Sequence, residues 1–272
     1  MRNSNRRGAI TIASEKTSGA WRQIMNDSEK YNFEDFTRDN YSRLLNLAKQ
    51  KYSFCSFEDF GKIENPVIWR HDIDFSVHSA YALAKIEHDE GVNSTFFIHL
   101  HNEFYNVFEK EISALLEKIF KLGHNAGLHF DCHYYAIASE AQLEEQLQFE
   151  KSILEKLFGI PVNVFSFHNT TEDILSYNSD RYAGMINTYS KYFREEFGYC
   201  SDSNGYWRFE RLEDVLLSEK HKKLQVLTHP AWWQDEVLSP RQRVLRCIDG
   251  RSQKTKDNYD ALLRLMGREN IK

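Results

Sequence analysis

From residue 66 onward the chain alternates short apolar runs with longer amphipathic stretches, which limits the folds open to it. Residues 67–70, 92–100, 126–130 and 162–167 have the length and apolar character of buried strands, as do 198–200 and 224–228. Between them, residues 76–90, 107–122 and 139–158 carry apolar side chains at helical spacing. Gly91, Gly123 and Gly159 follow these stretches and supply the left-handed residue that ends a helix. Strand and helix in regular alternation predict an α/β chain built on a parallel sheet or barrel. An earlier helix is expected with Asp39 or Asn40 near its cap and Tyr41, Leu44, Leu45 and Ala48 on one face.

The reactive side chains fall in consistent places on this pattern. Asp72 and Asp74 follow the first strand in Trp69-Arg-His-Asp-Ile-Asp-Phe75, and their separation of two puts both on one side of an extended chain. His129-Phe-Asp-Cys-His133 ends another strand; His168, Asp202 and His229 each follow one of their own. In parallel barrels the reactive groups gather at the C-terminal strand ends, where the loops open a shared mouth. A spacing of four keeps His129 and His133 on one side of either a helix turn or a strand. Two imidazoles and one carboxylate make a three-ligand metal site with a position left open for water. A second carboxylate beside it can act as general base, and His229, in Val226-Leu-Thr-His-Pro230, sits where a general acid is wanted. The bland alternatives are a surface histidine pair and a helix cap supplied by Asp74 or Ser76.

Composition narrows the partners. The 272 residues are 41% hydrophobic and 28% charged, enough for a sizeable core, and a net charge of -5 offers no basic field for nucleic acid. No uncharged apolar run reaches about 18 residues, so no transmembrane helix is expected. The apolar stretch at 9–13 is too short for a signal peptide. Cys55, Cys132, Cys200 and Cys247 are widely spaced, which fits free thiols and a cytoplasmic location; Cys132 reads as a packing residue rather than a ligand. His71 reads as a hydrogen-bonded neighbour of the acid pair, and His99 and His101 as lining of the mouth.

The order Asp-x-Asp, then Gly-Leu-His-x-x-x-His, then Leu-x-His resembles the polysaccharide deacetylase family of chitin and peptidoglycan deacetylases, over roughly residues 60–235. The resemblance implies a distorted (β/α) barrel of about seven parallel strands. It implies that Asp72 is the base, that Asp74, His129 and His133 hold a divalent metal such as zinc, and that His229 is the acid. The reaction implied is hydrolysis of an N-acetyl group on an amino sugar. Two departures stand out. Ile73 splits the acid pair, and Phe165-Ser-Phe-His168-Asn replaces the family's Arg-x-x-x-Pro segment. His168 is therefore open to binding metal, contacting substrate, or taking the place of the arginine that orients the catalytic aspartate.

Asp202 is expected to orient His229, and Trp207, Tyr134 and Trp232 are candidates, with His168, for contact with sugar. The expected organisation is an N-terminal arm and helix over 1–60, the barrel over 61–236, and a basic helical appendage over 237–272. The expected substrate is a soluble, nucleotide-linked or lipid-linked intermediate of surface polysaccharide synthesis. A cyclic amide hydrolase on the same barrel and a carbohydrate-binding pseudoenzyme are the competing expectations.

Overall fold

The structure is a computed structural model and describes residues 26–271. Residues 1–25 of the N-terminal region, expected to begin as an arm, lie outside those residues. In chain order the elements are α1 (Asp27–Lys30), α2 (Arg38–Lys49), β1 (Ser53–Phe54), β2 (Pro66–Ile73), α3 (Val77–Asp89), β3 (Thr95–Ile98), α4 (Lys110–Lys121) and β4 (Asn125–Phe130). There follow α5 (Cys132–Tyr135), α6 (Glu140–Phe158), β5 (Val164–Phe167), β6 (Arg181–Tyr182), β7 (Met185–Asn187) and α7 (Lys191–Glu196). The chain ends with β8 (Gly198–Ser201), α8 (Leu212–Ser218), β9 (Leu224–Thr228) and α9 (Pro240–Leu265).

The strands form one sheet in the order β6-β7-β5-β4-β3-β2-β9-β8, with β1 paired to the start of β2. Every pairing is parallel except the short β6–β7 hairpin. Seven parallel strands thus run from β7 to β8, as the alternating pattern and the family resemblance led us to expect. Among the described residues no ladder joins β8 to β6 or β7, so the barrel stays open along that seam.

Alternation along the strands divides two environments. Val67 and Trp69 of β2 face outward onto Tyr41, Leu44 and Leu45 of α2, while Phe96, Leu128 and Phe165 face α4 and α6. Ile68, Phe97, Val164 and Ile186 face inward and meet Phe57, Phe193 and Phe197, an apolar floor at the N-terminal strand ends. Gly127 is required here: a Cβ on it would lie 2.5 Å from the Phe97 ring. Above this floor the inward positions turn polar, with Arg70 and Asp72 on β2, His129 on β4, Ser166 on β5 and Gln225 on β9.

Thr37 caps α2 rather than Asp39 or Asn40, and Ser76 caps α3, which frees Asp74 from that duty. The basic C-terminal stretch is one helix, α9, opened by a Ser239–Gln242 capping box and exposed along most of its length after residue 251. No helix among the described residues is long and apolar enough to cross a membrane.

Candidate metal centre and acid–base groups

Three ligand-type atoms converge where β2, β4 and β5 end. His129 Nε2 lies 3.2 Å from Asp74 Oδ1, His168 Nδ1 lies 3.7 Å from the same oxygen, and the two imidazole nitrogens are 3.1 Å apart. A tetrahedral ion with bonds of roughly 2.0–2.2 Å has ligand–ligand edges of roughly 3.3–3.6 Å, so this triangle is of the right size. Asp74 Oδ1 is buried without a hydrogen-bond partner, the state of an acceptor reserved for something else. Burial opposes ionisation of Asp74, but the His129 contact and the nearby charge of His229 hold its carboxyl well below the usual range. Burial and His129 push His168 down, which favours the neutral imidazole a metal requires. These residues fit a divalent cation.

Both cluster histidines have a polar partner on their other ring nitrogen. His129 Nδ1 donates to Ser166 Oγ at 2.7 Å, which leaves Nε2 as the lone-pair nitrogen, and Ser166 Oγ donates onward to Asp72 Oδ1 at 3.5 Å. His168 Nε2 meets the Asn169 amide at 2.8 Å.

His133 does not join this cluster. The chain leaves β4 at Phe130, and Asp131 caps α5 by accepting from the His133 and Tyr134 amides, so His133 lies in an exposed helical turn. Its Nε2 donates to the Asn169 carbonyl at 3.0 Å, and thereby braces the turn that carries His168. The third ligand-type side chain of the cluster, expected to be His133, is instead His168, one strand further along the sheet. His99 packs against both cluster histidines, with ring centroids 4.6 Å from His168 and 5.7 Å from His129; burial and those neighbours push it down to about 3.

Asp72 is buried beside the cluster and paired with Arg70, whose Nη2 donates to Asp72 Oδ2 at 2.8 Å. Arg70 is sandwiched between the Phe97 and Tyr189 rings and donates to Thr188 Oγ1 at 2.6 Å. Burial alone would raise the Asp72 pKa, but the charge of Arg70, with that of His229, holds it below its ordinary value. Arg70 thus holds Asp72 from within the same strand, two residues before it. Alternation on β2 is the signal that would have found it.

Across the cavity, His229 Nδ1 donates to Asp202 Oδ1 at 2.6 Å and its Nε2 faces Asp74 Oδ2 at 3.7 Å. Asp202 is fully buried and also accepts from the His229 amide at 3.0 Å and from Trp233 Nε1 at 2.9 Å. Burial would lower the His229 pKa, but the Asp202 charge and hydrogen bond, with Asp74 and Asp72, raise it to about 9. At neutral pH its Nε2 carries a proton directed into the cavity.

Asp72, Asp74, His99, His129, His168 and His229 line a cavity of about 700 Å³. His101 and Tyr134 stack on its rim, with ring centroids 3.6 Å apart, and Tyr134 is 60% exposed. Trp232 forms a wall with Phe75. Trp207, expected to touch sugar, does not line the cavity. It stacks on Phe36 and donates to Asp35 Oδ2 at 2.7 Å, because the loop after β8 turns its ring back onto the base of α2. Trp207→Phe should therefore lower stability by about 1 kcal/mol and leave KM unchanged, measured by thermal unfolding and initial rates. A raised KM at unchanged stability would return Trp207 to the substrate site. Cys132 packs in the core as expected.

No family model matches the sequence, and no curated protein matches it. Among solved structures, the chain is similar to a family 4 carbohydrate esterase from Bacillus anthracis, with 16% identity and a TM-score of 0.42 over 79% of this chain and 86% of that one. A family 4 acetyl xylan esterase from Clostridium thermocellum, in complex with a cobalt ion, is 16% identical at a TM-score of 0.41, over 75% of this chain and 92% of that one. The chitin deacetylase of Colletotrichum lindemuthianum is 14% identical at 0.41, over 69% and 83%.

Proposed function

We propose that this chain is a divalent-metal-dependent hydrolase that removes an N-acetyl group from an amino sugar. One observation carries the reading. A two-histidine, one-carboxylate cluster, an arginine-anchored carboxylate and an aspartate-backed histidine all open into the same cavity. A divalent ion at Asp74, His129 and His168, which we take to be zinc, would acidify a water and polarise the acyl oxygen.

The protein groups supply the rest. Asp72, ionised and held by Arg70, accepts a proton from the attacking water. His229 gives its Nε2 proton to the departing amine nitrogen, and Asp202 stabilises the imidazolium until then. The cavity, of a size that takes a small ligand, is walled by Trp232 and rimmed by Tyr134 and Arg208, which suits a polar ring. We take the substrate to be a soluble, nucleotide-linked or lipid-linked precursor of a surface polysaccharide, handled in the cytoplasm.

Acetate release from a panel of N-acetylated sugars and cyclic amides, with metal-loaded and chelated protein, tests this reading. Metal-dependent acetate from the sugars is expected. Ring opening of a cyclic amide without any acetate would replace the substrate class.

The acid predicts a pH dependence. Since the His229 pKa is raised, the competent protonated form is present below it and lost as pH rises through about 9. A cation at Asp74 pulls that limit lower. Asp202→Asn removes the largest raising influence, so the alkaline limb of kcat should move toward the ordinary histidine value. A limb unmoved in Asp202→Asn would assign the acid to another group.

A further inference from the structure

Behind the cavity, on the outward face of β2 and β9, lies a polar network used by neither the metal cluster nor the acid–base groups. Glu87 of α3 is fully buried. It accepts from His71 Nε2 at 2.6 Å, from Ser94 Oγ at 2.6 Å and from the Tyr41 hydroxyl, which itself accepts from Trp69 Nε1 at 2.9 Å. The other ring nitrogen of His71, Nδ1, meets Thr228 Oγ1 at 2.7 Å, and the ring lies flat on Phe96 with centroids 4.3 Å apart. His71 and Thr228 are both fully buried.

The place of the His71–Thr228 contact in the sheet is what gives it meaning. Strands β2 and β9 are paired from Val67↔Leu224 to His71↔Thr228, and that pair is the last rung of the ladder. The next residues are Asp72 on one strand and His229 on the other, both turned to the cavity. Beyond the last rung no backbone ladder holds these two strand ends together; β2 continues paired only to β3.

We infer that the His71–Thr228 bond, anchored on Glu87, is a clasp that sets the spacing between Asp72 and His229. All three are positioning residues, since none reaches the cavity. A valine at 228 would pack as well as threonine, and a buried hydroxyl is tolerated only when it is bonded. A bond across the final rung is directional where apolar contact is not, so it holds the strand ends at one separation. The inference rests on the proposed function only in naming Asp72 and His229 as base and acid.

Thr228→Val deletes the hydroxyl at constant shape, and Thr228→Ser keeps it. In the valine variant kcat should fall about 10- to 100-fold while KM and metal content stay unchanged, and serine should restore most of the loss. The downfield proton resonance of the His229 Nδ1–H held by Asp202 should shift in the valine variant and return in the serine variant. If Thr228→Val does not fold, Tyr41→Phe, which loosens Glu87 from its far side, should lower kcat in the same direction. Unchanged kcat with an unmoved His229 resonance would reduce the network to packing. A wild-type protein that hydrolyses nothing would end the functional reading, while the resonance would still judge the clasp.

Discussion

His168→Ala should strip the protein of its divalent metal and its turnover together, whereas His133→Ala should keep both. The two histidines look interchangeable in the sequence, yet only His168 directs a ring nitrogen to within 3.1 Å of His129 Nε2 and 3.7 Å of Asp74 Oδ1. Loss of a ligand forfeits several kcal/mol of transition-state stabilisation, so turnover should drop about 10³-fold or more. His133→Ala removes only the brace on the Asn169 carbonyl, and a loss of about tenfold is the most that slackening of the His168 turn should cause. Elemental analysis of the purified variants, beside their initial rates, reads both outcomes. Metal retained in His168→Ala and lost in His133→Ala would restore the assignment implied by the family motif.

The second large effect belongs to Arg70. Arg70→Met removes the cation paired with the buried Asp72 carboxylate, and breaking a buried pair in this way costs about 3–5 kcal/mol. Asp72→Asn keeps the shape of the acid without its charge. It should retain metal, because Asp72 is not among the clustered ligand atoms, and lose turnover about 10²- to 10⁴-fold for want of the base. The double variant Arg70→Met/Asp72→Asn should be more stable than Arg70→Met alone, since the uncompensated charge is gone. Because the folded-state pKa of Asp72 is depressed, the stability it contributes is present above the ordinary carboxylate range and fades as pH falls through the folded value. Chemical denaturation across pH measures this. Equal stability of Arg70→Met and wild type at neutral pH would mean that Arg70 does not hold the acid.

Much of this arrangement was legible in the sequence because it depends on strand ends. Asp72, Asp74, His129, His168, Asp202 and His229 each sit where an apolar run stops, and parallel strands bring all such positions to one mouth. The period of two also placed Arg70 and Asp72 on one side of β2, while Asp74 follows the strand's end. The His133 expectation failed because periodicity predicts neighbours only while one element continues. His129 belongs to β4 and His133 to α5, with the change of conformation at Asp131 between them, so their spacing of four does not bring them together. Arg70 was overlooked for a different reason. Its role depends on Thr188 and Tyr189, which follow the β6–β7 hairpin, and that hairpin has no recognisable strand signal in residues 181–187. Trp207 shows that an aromatic near a strand end can be turned by its loop toward Asp35 instead of the mouth.

Anomalous X-ray scattering at the absorption edge of a bound zinc ion reads the identity of the metal centre. A single strong peak is expected within roughly 2.0–2.2 Å of Asp74 Oδ1, His129 Nε2 and His168 Nδ1, with His133 still on the Asn169 carbonyl. A peak coordinated by His133, or no peak in that triangle from protein that hydrolyses N-acetyl sugars, would contradict the assignment.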